Sequence, residues 1–429
     1  MKRRRYDQLT VSVLKWVLIC GCIGCIAAPG VDFQRELAAQ TPANFKIAFI
    51  GDQGLGNEAR AVLNLIKSEG AQAVLHQGDF DYEDNPAAWE AQINDVLGAN
   101  FPYFASAGNH DEAEWEGYQQ FMESRLNRLG IPWDGDLGAK SSLCYRGLFI
   151  ILVAPGVNVP GSGHDVYIRD KLAADNSIWS ICSWHKNMEA MQVGGKSDET
   201  GWGVYEEATK GGAIIATGHE HSYSRTHLLS NPKNQTIASR SDTLVLSKGQ
   251  TFVVVSGLGG ASIRDQQLEG DWWASIYTSD QRANYGALFG VFNVNGIPNL
   301  ATFYFKDIDG NVVDRFALIS KVEGSTTGVD EPPANIASSF TLEQNYPNPF
   351  NPSTTIRFRL TKAAPTKLVI LNLMGQPVRT LFVGEMAAGE RVIEWDARDD
   401  AGVLVPSATY IYRLESSGEV QSKGLMFLK

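Results

Sequence analysis

Apolar and polar positions alternate in blocks along the first part of the chain. Three apolar runs that predict buried strands lie at 45–50, 73–75 and 103–107. Residues 58–67 and 86–97, which lie between these runs, have the spacing of apolar side chains that predicts helices, and Pro86 stands near the start of the second. Strands that alternate with helices in this way predict βαβ units and a mainly parallel sheet.

The pattern becomes mixed further along the chain. Apolar runs predict strands at 148–154, 178–183, 213–217, 251–256, 287–294 and 301–306. The first two of these flank a helix that we predict for residues 165–175. Asp309-Gly310-Asn311 lies between two apolar runs and is a turn signal typical of a β-hairpin. These elements predict a second sheet within an α/β domain.

The composition changes near residue 321. Residues 323–339 are rich in Gly, Ser, Thr, Pro and acidic residues without periodicity, and we interpret them as a linker. Short alternating strands, typical of a small β-sandwich, are predicted beyond it at 353–360, 366–372, 391–395, 408–415 and 424–429. The chain therefore divides into a leader, a first domain, a linker and a second domain, with bounds at 1–39, 40–321, 322–339 and 340–429.

The leader differs from everything that follows it. Lys2-Arg3-Arg4-Arg5 is a basic cluster, and residues 11–28 form an apolar stretch interrupted by Lys15. Small residues suited to cleavage stand at 27–28 and 38–39. This order is typical of a secretory signal peptide. An uncleaved membrane anchor is the alternative, although the stretch is near the lower length limit for spanning a bilayer, and the poor lipobox at Cys20 makes a lipid anchor a weaker one.

Charge and cysteine content narrow the function only slightly. A formal net charge of −11 argues against a nucleic-acid groove, which requires a basic face. Three of the five cysteines lie in the leader, so Cys144 and Cys182 remain after processing. An exported pair can form a disulfide, or the two can be buried thiols in strands, and the sequence leaves both alternatives open.

Five polar motifs follow the predicted strands, at the edge where open α/β sheets bind ligands. They read Gly51-Asp52-Gln53-Gly54, Gly78-Asp79-Phe80-Asp81-Tyr82, Gly108-Asn109-His110-Asp111, Trp184-His185 and Gly218-His219-Glu220-His221. Their oxygen and nitrogen donors are the kinds that two adjacent metal ions require. Asp79 is the best candidate for a bridge, because a carboxylate has two oxygens and a full charge. A phenolate such as Tyr82 favours a trivalent ion, whereas Asn109 and imidazoles suit a divalent one.

The ordered motifs resemble those of the calcineurin-like metallophosphoesterases, and among them the purple acid phosphatases, over residues 44–320. The general superfamily has Asp-x-His in the first motif. This chain has Asp52-Gln53-Gly54 instead and gains Tyr82 three residues after Asp79, which is the purple acid phosphatase variant. The resemblance implies a two-sheet α/β/β/α sandwich for the domain at 40–321.

The resemblance also implies the role of each site residue. The implied metal ligands are Asp52, Asp79, Tyr82, Asn109, His185, His219 and His221. The resemblance implies Fe³⁺ held by Asp52, Tyr82 and His221. It implies that Asp79 bridges to a divalent ion (Fe²⁺, Zn²⁺ or Mn²⁺) held also by Asn109, His185 and His219. His110 would protonate the leaving group, and Asp111 would orient His110. The implied reaction is in-line attack on a phosphate ester by metal-activated hydroxide.

The segment around His185 departs from the family pattern. It reads Cys182-Ser183-Trp184-His185-Lys186. Trp184 and Lys186 either shape the substrate pocket or simply pack and face solvent, and we favour the second interpretation. Loops at 157–164 and 192–202 would determine the substrate, but they carry no motif from which it can be read.

Other conspicuous residues have structural interpretations. We interpret His76 as a core histidine with satisfied hydrogen bonds, and His164 and His227 as loop residues outside the ligand set. The glycine run at 256–260 lacks the helix and lysine of a phosphate loop and is interpreted as a turn packed behind the site.

The second domain carries a separate resemblance. Residues 340–355, which read FTLEQNYPNPFNPSTT, resemble the start of the sorting domain of the type IX (Por) secretion system, and 372–376, 395–399 and 408–413 fit the same family. That family implies an immunoglobulin-like sandwich that is recognised at the outer membrane and often removed. Together with the leader it implies export through the periplasm to the medium or cell surface, with the secretion machinery as a partner and no membrane span in the mature chain.

Two hypotheses of function follow from these patterns. The first is a secreted binuclear metallohydrolase of phosphate esters, with monoesters favoured over diesters or nucleotides because of the purple-type ligand set. The second is a surface adhesion or binding protein with a structural metal site. His110 argues against the second, because a structural site does not require it.

Overall fold

The computed structural model describes residues 41–322, 339–348, 350–372, 376–417 and 419–427. The predicted leader and most of the predicted linker lie outside these residues. Within the described part of the chain, none of the helices has the length and apolar character needed to cross a membrane.

The first domain contains seventeen strands and five α-helices among its described residues. The strands are β1 (Phe45–Ile50), β2 (Ala73–His76), β3 (Tyr103–Ala105), β4 (Asp134–Asp136), β5 (Lys140–Tyr145), β6 (Leu148–Val153), β7 (Trp179–Ser183), β8 (Ile214–Thr217), β9 (Tyr223–Thr226), β10 (Leu228–Asn231), β11 (Thr236–Ser239), β12 (Thr243–Leu246), β13 (Val253–Ser256), β14 (Trp273–Tyr277), β15 (Gly286–Phe292), β16 (Leu300–Asp307) and β17 (Val312–Ser320). The helices are α1 (Asn57–Ser68), α2 (Pro86–Val96), α3 (Trp115–Leu129), α4 (His164–Ala174) and α5 (Trp202–Gly211).

These strands form two large mixed sheets and a small hairpin. The first sheet has the order β12-β17-β16-β15-β1-β2-β3, and the second has the order β14-β9-β13-β8-β7-β6-β5-β4. Parallel pairing links β1 to β2 and β2 to β3 in the first sheet, and β6, β7, β8 and β13 in the second. The prediction of a mainly parallel sheet is therefore correct only for one end of the first sheet and the middle of the second, where the ligand motifs lie. The other strand pairs of these sheets are antiparallel, including the hairpin β16–β17 at the predicted turn, except that β12 pairs parallel with β17.

The helices cover the outer faces of the two sheets. One apolar core joins both sheets to α1, α2 and α3, and it includes Val62, Ile93 and Leu126 from those helices. A second core packs α4 and α5 against the other face of the second sheet, through residues such as Ile168 and Tyr205. The layers are thus α/β/β/α, as the resemblance implies.

A buried ion pair ties one sheet to the other. Arg225 on β9 donates from Nε and Nη2 to the two oxygens of Asp314 on β17, at 2.6 and 2.9 Å. The hydroxyl of Tyr223 donates to the same carboxylate at 2.7 Å. Such bidentate, hydrogen-bonded pairs fix geometry as well as charge. The segment that follows the last ligand motif therefore fastens the two sheets together.

The two cysteines of the first domain are free thiols. Cys144 lies on β5 and is exposed, whereas Cys182 lies on β7 and is buried. Strand β6 lies between them. The two cysteines therefore form no disulfide in this structure, and only one of the two thiols is buried.

The second domain is an all-β sandwich of two sheets. Its strands are β18 (Phe340–Leu342), β19 (Thr354–Leu360), β20 (Ala364–Leu371), β21 (Pro377–Met386), β22 (Gly389–Trp395), β23 (Ala408–Ser416) and β24 (Glu419–Phe427). The sheets have the orders β18-β19-β22 and β21-β20-β23-β24 and enclose a core with Ile356, Leu368 and Trp395. The predicted sandwich is confirmed.

A small apolar cluster joins the second domain to the first. It combines residues from the 3₁₀ turn before β16 and from β16 itself with residues of β20 and β23, all at most 8% exposed: Val294, Ile297, Leu300, Val369, Leu371 and Ile411. The outward face of the sheet that contains β20 and β23 thus packs on the first domain.

Candidate metal centre

The ligand motifs follow the carboxyl ends of strands from both sheets. Asp52, His185 and His219 come two residues after β1, β7 and β8 respectively. Asp79 comes three residues after β2, and Asn109 comes four residues after β3, which ends two residues earlier than predicted. The edges of the two sheets meet here, which brings together residues far apart in sequence.

Close approach of two loops requires glycine in the motifs. A Cβ at Gly108 would lie 2.2 Å from the backbone nitrogen and Oδ1 of Asp79. A Cβ at Gly78 would lie 2.7 Å from the nitrogen of Gly108 and 2.8 Å from Nδ1 of His185. Gly78, which precedes Asp79, and Gly108, which precedes Asn109, thus let their loops reach the centre.

Four of the predicted ligands adopt left-handed backbone conformations. Asp52, Asp79, Tyr82 and His219 have φ of 59°, 58°, 61° and 70°. Such conformations cost about 1–3 kcal/mol each for residues other than glycine, and they concentrate at functional sites. The strain identifies these turns as parts of a built site.

One group of donors surrounds Tyr82. Its hydroxyl donates to Oδ1 of Asp52 at 3.0 Å and lies 2.9 Å from Nε2 of His221. That nitrogen lies 3.3 Å from Oδ1 of Asp52. Ligand atoms of Asp52, Asp79 and His221 all lie within 4.8 Å of one another. This is a three-residue pocket for a cation, with a phenol at its edge.

A second group of donors surrounds His185. Its Nε2 lies 3.2 Å from Oδ1 of Asp79 and 3.0 Å from Nδ1 of His219. Ligand atoms of these three residues also lie within 4.8 Å of one another. Asp79 belongs to both groups, as expected for a bridging carboxylate.

Asn109 supplies an unsatisfied acceptor. Its Oδ1 is buried and accepts no hydrogen bond from the described residues. A buried polar atom without a partner is costly, and a metal ion removes that cost. Asn109 therefore fits the centre as a ligand.

Charge in the site favours a cation. Burial opposes ionisation of Asp79, but His185 and the backbone N–H of His110 lower its pKa below the usual range. Burial would lower the pKa of His185, and Asp79 instead raises it to about 9. Burial and the adjacent His185 lower the pKa of His219, which keeps that ring neutral and able to coordinate. The carboxylate that holds a proton on His185 can hold a metal ion in its place, so the residues present fit two adjacent ions.

The three ligand histidines have partners on their far nitrogens. Nδ1 of His185 donates to the carbonyl oxygen of Gln77 at 2.6 Å. Nδ1 of His221 contacts the hydroxyl of Ser262, and Nε2 of His219 contacts Oε2 of Glu199 at 2.7 Å. These contacts fix each ring and the nitrogen that faces the centre. Sequence analysis missed all three partners, because they lie in loops without a motif.

His110 lies at the mouth of the site. It is exposed, its ring centroid lies 4.6 Å from that of Tyr82, and its backbone N–H donates to Oδ1 of Asp79 at 2.9 Å. A pocket of about 460 Å³ opens beside it, lined by Asp84, Asn109, His110, Glu112, Ala113 and Asn158. The ring is thus within reach of a ligand that occupies the pocket.

The prediction that Asp111 orients His110 is corrected by the hydrogen bonds. The carboxylate is fully buried and accepts from the backbone N–H groups of Gly108, Asp79 and Phe80, at 2.6, 3.0 and 2.8 Å. Burial and the adjacent Asp79 raise its pKa to about 8. Asp111 therefore holds two ligand loops together rather than contacting the His110 ring.

The residues flanking His185 differ from each other. Trp184 is buried against Tyr205, with ring centroids 4.9 Å apart, so the prediction that it packs is confirmed. Lys186 does not face solvent as favoured: its side chain is 15% exposed and its Nζ lies 3.1 Å from Oε1 of Glu199. Lys186 is part of the site through that carboxylate.

The remaining histidines stay outside the metal-ligand groups. His76 is buried at the end of β2, but neither ring nitrogen has a partner among the described residues, so it is not a satisfied core histidine. Burial lowers its pKa to about 3, which leaves it neutral. His164 opens α4 rather than lying in a loop, and His227 lies between β9 and β10.

The glycine run at 256–260 packs behind the Asp52 loop, as predicted. The N–H of Gly51 donates to the carbonyl of Ser256 at 2.8 Å, and the N–H of Gly259 donates back to Gly51 at 2.9 Å. A Cβ at Gly257 would lie 2.7 Å from Oδ2 of Asp52. The run is a close-packed support for a ligand loop.

The fold class is that of an α/β metallophosphoesterase domain followed by an all-β immunoglobulin-like region. The family model described as calcineurin-like phosphoesterase matches residues 16–223, and the model of the FlgD Ig-like domain matches residues 348–419. Two ligand groups that share one carboxylate agree with the metal dependence of that phosphoesterase class.

One solved structure supports this fold, and two others align more weakly. The purple acid phosphatase PPD1 from yellow lupin (Lupinus luteus) seeds aligns with a TM-score of 0.52 and 17% identity over 66% of this chain. The aligned part spans 54% of the lupin chain. A structure of PhoD aligns at a TM-score of 0.41 and 11% identity, over 64% of this chain and 72% of that chain. FlgD from P. aeruginosa aligns at a TM-score of 0.15 and 20% identity, over 21% of this chain and 65% of that chain. The lupin alignment bears on fold alone.

Proposed function

We propose that the chain is a secreted binuclear phosphoesterase that hydrolyses phosphate monoesters, with His110 as general acid. The proposal depends on one observation: two ligand groups share Asp79, and His110, which donates its backbone N–H to that carboxylate, lines a pocket. Two bound cations would offset the charge on the phosphate oxygens and lower the pKa of water in the site.

The residues of the chain supply position and a proton. The backbone N–H of His110 is held by Asp79, and Asp111 holds the loop that carries both Asn109 and His110. A phosphate at the two ligand groups would place its leaving oxygen toward the pocket beside the His110 ring. A protonated imidazole there can donate to the departing oxygen, which would otherwise leave as an alkoxide.

The experiment that tests this function compares two substrates on the full-length chain loaded with iron plus zinc or manganese. We expect 4-nitrophenyl phosphate to be hydrolysed faster than bis(4-nitrophenyl) phosphate at saturating concentrations. Faster diester turnover would place the protein among phosphodiesterases that use the same centre. Hydrolysis of neither ester by protein that holds two ions would favour the binding-protein alternative.

We propose Fe³⁺ for the group beside Tyr82, and Fe²⁺, Zn²⁺ or Mn²⁺ for the group beside His219. Burial, and then the charges of Asp52 and Asp79, raise the pKa of Tyr82 far above that of a free phenol. Tyr82 is thus a neutral phenol unless a cation replaces its proton, and a phenolate favours a strongly acidic, trivalent ion. Asn109 and the two imidazoles of the other group suit a divalent ion.

Tyr82→Phe is expected to remove the visible charge-transfer absorption of the iron-loaded protein, because the absorption requires a phenolate on the iron. The measurement is the visible spectrum at equal iron content. Tyr285→Phe, a partly buried tyrosine outside the ligand groups, is the matched control. A band that persists in Tyr82→Phe, or wild-type protein that takes up no iron, would contradict the metal proposal.

Export through a leader and a type IX sorting domain is also proposed. It is supported by the basic and apolar leader sequence, by the motif at 340–355 and by the independent sandwich core of the second domain. In a bacterium with type IX machinery, full-length protein should reach the surface or medium, whereas a chain ended at residue 322 should stay in the periplasm. Equal distribution of both forms would argue against a sorting role.

A further inference from the structure

The loop that follows His185 returns to the centre at Glu199. Fourteen positions after the ligand, the Glu199 carboxylate reaches Nε2 of His219 at 2.7 Å and Nζ of Lys186 at 3.1 Å. The side chain of Glu199 is 25% exposed, and those of His219 and Lys186 are 8% and 15% exposed. Contact with the histidine is therefore largely shielded from water.

The contact determines which nitrogen of His219 carries the proton. A carboxylate only accepts, so Nε2 of His219 is the donor and the lone pair lies on Nδ1. Nδ1 is the atom that faces Nε2 of His185 at 3.0 Å, inside the group that includes Asp79. Glu199 thus selects the coordinating tautomer of His219.

Glu199 is a charged partner of His219, whereas the partners of the other two ligand histidines are neutral. His185 is held by a backbone carbonyl and His221 by a hydroxyl, both neutral. A carboxylate partner makes the imidazole a stronger donor to a cation, in addition to orienting it. The gain would apply to the divalent position, because His219 belongs to the group with His185.

Backbone contacts keep Glu199 in place. Its N–H donates to the carbonyl of Asn187 at 3.1 Å, and Nδ2 of Asn187 donates to the carbonyl of Gly218 at 2.7 Å. Gly156, with φ of 75°, packs so closely that a Cβ would lie 2.0 Å from the Glu199 carbonyl oxygen. Nζ of Lys196, in the same loop, donates to the carbonyl of His219 at 2.6 Å. The loop therefore holds both the ring and the backbone of this ligand.

We propose that Glu199, oriented by Lys186, is the positioning residue of the divalent metal site, and that it strengthens binding of that ion through His219. This inference rests on the proposed function, since it requires two ions. The loop that follows His185 contains no predicted metal ligand. The inference is that this loop nevertheless controls how tightly the divalent ion binds and does not affect the ion beside Tyr82.

The test is a zinc titration of the full-length chain with iron in place and the divalent position emptied by mild chelation. For Glu199→Ala we expect the Kd for Zn²⁺, measured by calorimetry, to rise about 10–100-fold, the usual cost of losing such a partner. Glu199→Gln should fall between Ala and wild type, because an amide oxygen still accepts from Nε2 but lacks the charge. The charge-transfer band of the iron should be unchanged in both variants.

Asp198→Asn is the matched control, because Asp198 is adjacent and exposed and its carboxylate accepts only the N–H of Glu189, at 2.8 Å, among the described hydrogen bonds. Its Zn²⁺ affinity should equal that of the wild type. An unchanged Kd in Glu199→Gln and Glu199→Ala would overturn the inference, and Glu199→Gln alone decides if the alanine variant does not fold. Wild-type protein that binds no Zn²⁺ would instead overturn the proposed function.

Discussion

Replacing His110 with alanine is expected to lower kcat by about 10²–10⁴-fold while two metal ions remain bound. The ring lines the pocket and is not itself one of the predicted metal ligands, so its loss removes a proton donor without removing a ligand. The loss should be larger for an alkyl phosphate than for 4-nitrophenyl phosphate, because an alkoxide needs protonation more than a phenolate does. Steady-state kinetics with both esters and elemental analysis of the same sample measure these effects.

His227→Ala provides the control for this substitution, since His227 lies between β9 and β10 and outside the ligand groups. It should retain wild-type turnover on both esters. Unchanged hydrolysis in His110→Ala would show that the histidine is not the general acid. An equal loss for alkyl and aryl esters would show that it binds substrate without donating a proton.

Asp79→Asn is expected to have the second large effect, on metal content. Asp79 is the residue that the two ligand groups share, and an amide cannot supply a charged bridge. Its backbone has φ of 58°, which asparagine tolerates, so the loop should keep its shape. Metal content should fall from two ions per chain to one or fewer, and kcat/KM should fall by more than about 100-fold, because changes to outer partners alone cost about 10–100-fold. Elemental analysis after dialysis, together with kinetics, provides the measurement.

Asp81→Asn is a closely matched control in the same loop. Asp81 is also buried, but its two oxygens accept the backbone N–H groups of Glu83 and Asn85, at 2.8 and 3.1 Å. That variant should keep both ions even if its stability falls. Two ions retained by Asp79→Asn with full turnover would exclude Asp79 as the bridge.

The sequence predicts most elements that have a regular apolar pattern. Helix α1 buries Ala59, Val62, Leu63 and Ile66 at helical spacing, and it was predicted within one residue at each end. Helix α3 was missed because a charged residue, Arg125, occupies an inward position. There the guanidinium is 2% exposed and pairs with Glu90 at 2.7 Å, which a one-dimensional pattern cannot anticipate. Inward positions satisfied by ion pairs are indistinguishable from outward ones until the partner element is placed.

The same distinction applies to the site: residues in motifs were predictable, and residues placed by tertiary contacts were not. Donor residues that stand in motifs at strand ends were predictable, because sheet topology gathers such ends at one edge. The positions of Asp52, Asp79 and the three ligand histidines agree with that expectation. Glu199 was not predictable, because its contact depends on the path of a loop that returns after fourteen residues. Asp111 stood in a motif, yet its role was not predictable, because two of the three N–H groups that donate to it belong to a loop about thirty residues away.

The apolar cluster between the two domains has a consequence for maturation. Val294, Ile297 and Leu300 are covered by side chains of β20 and β23. If the second domain is removed after export, these side chains become a wet hydrophobic surface on the released enzyme, and such surfaces promote association. Cleavage would then do more than remove the proposed sorting domain. It would change the colloidal behaviour of the product, so a released enzyme should need either a new neighbour at this face or a local rearrangement to remain dispersed.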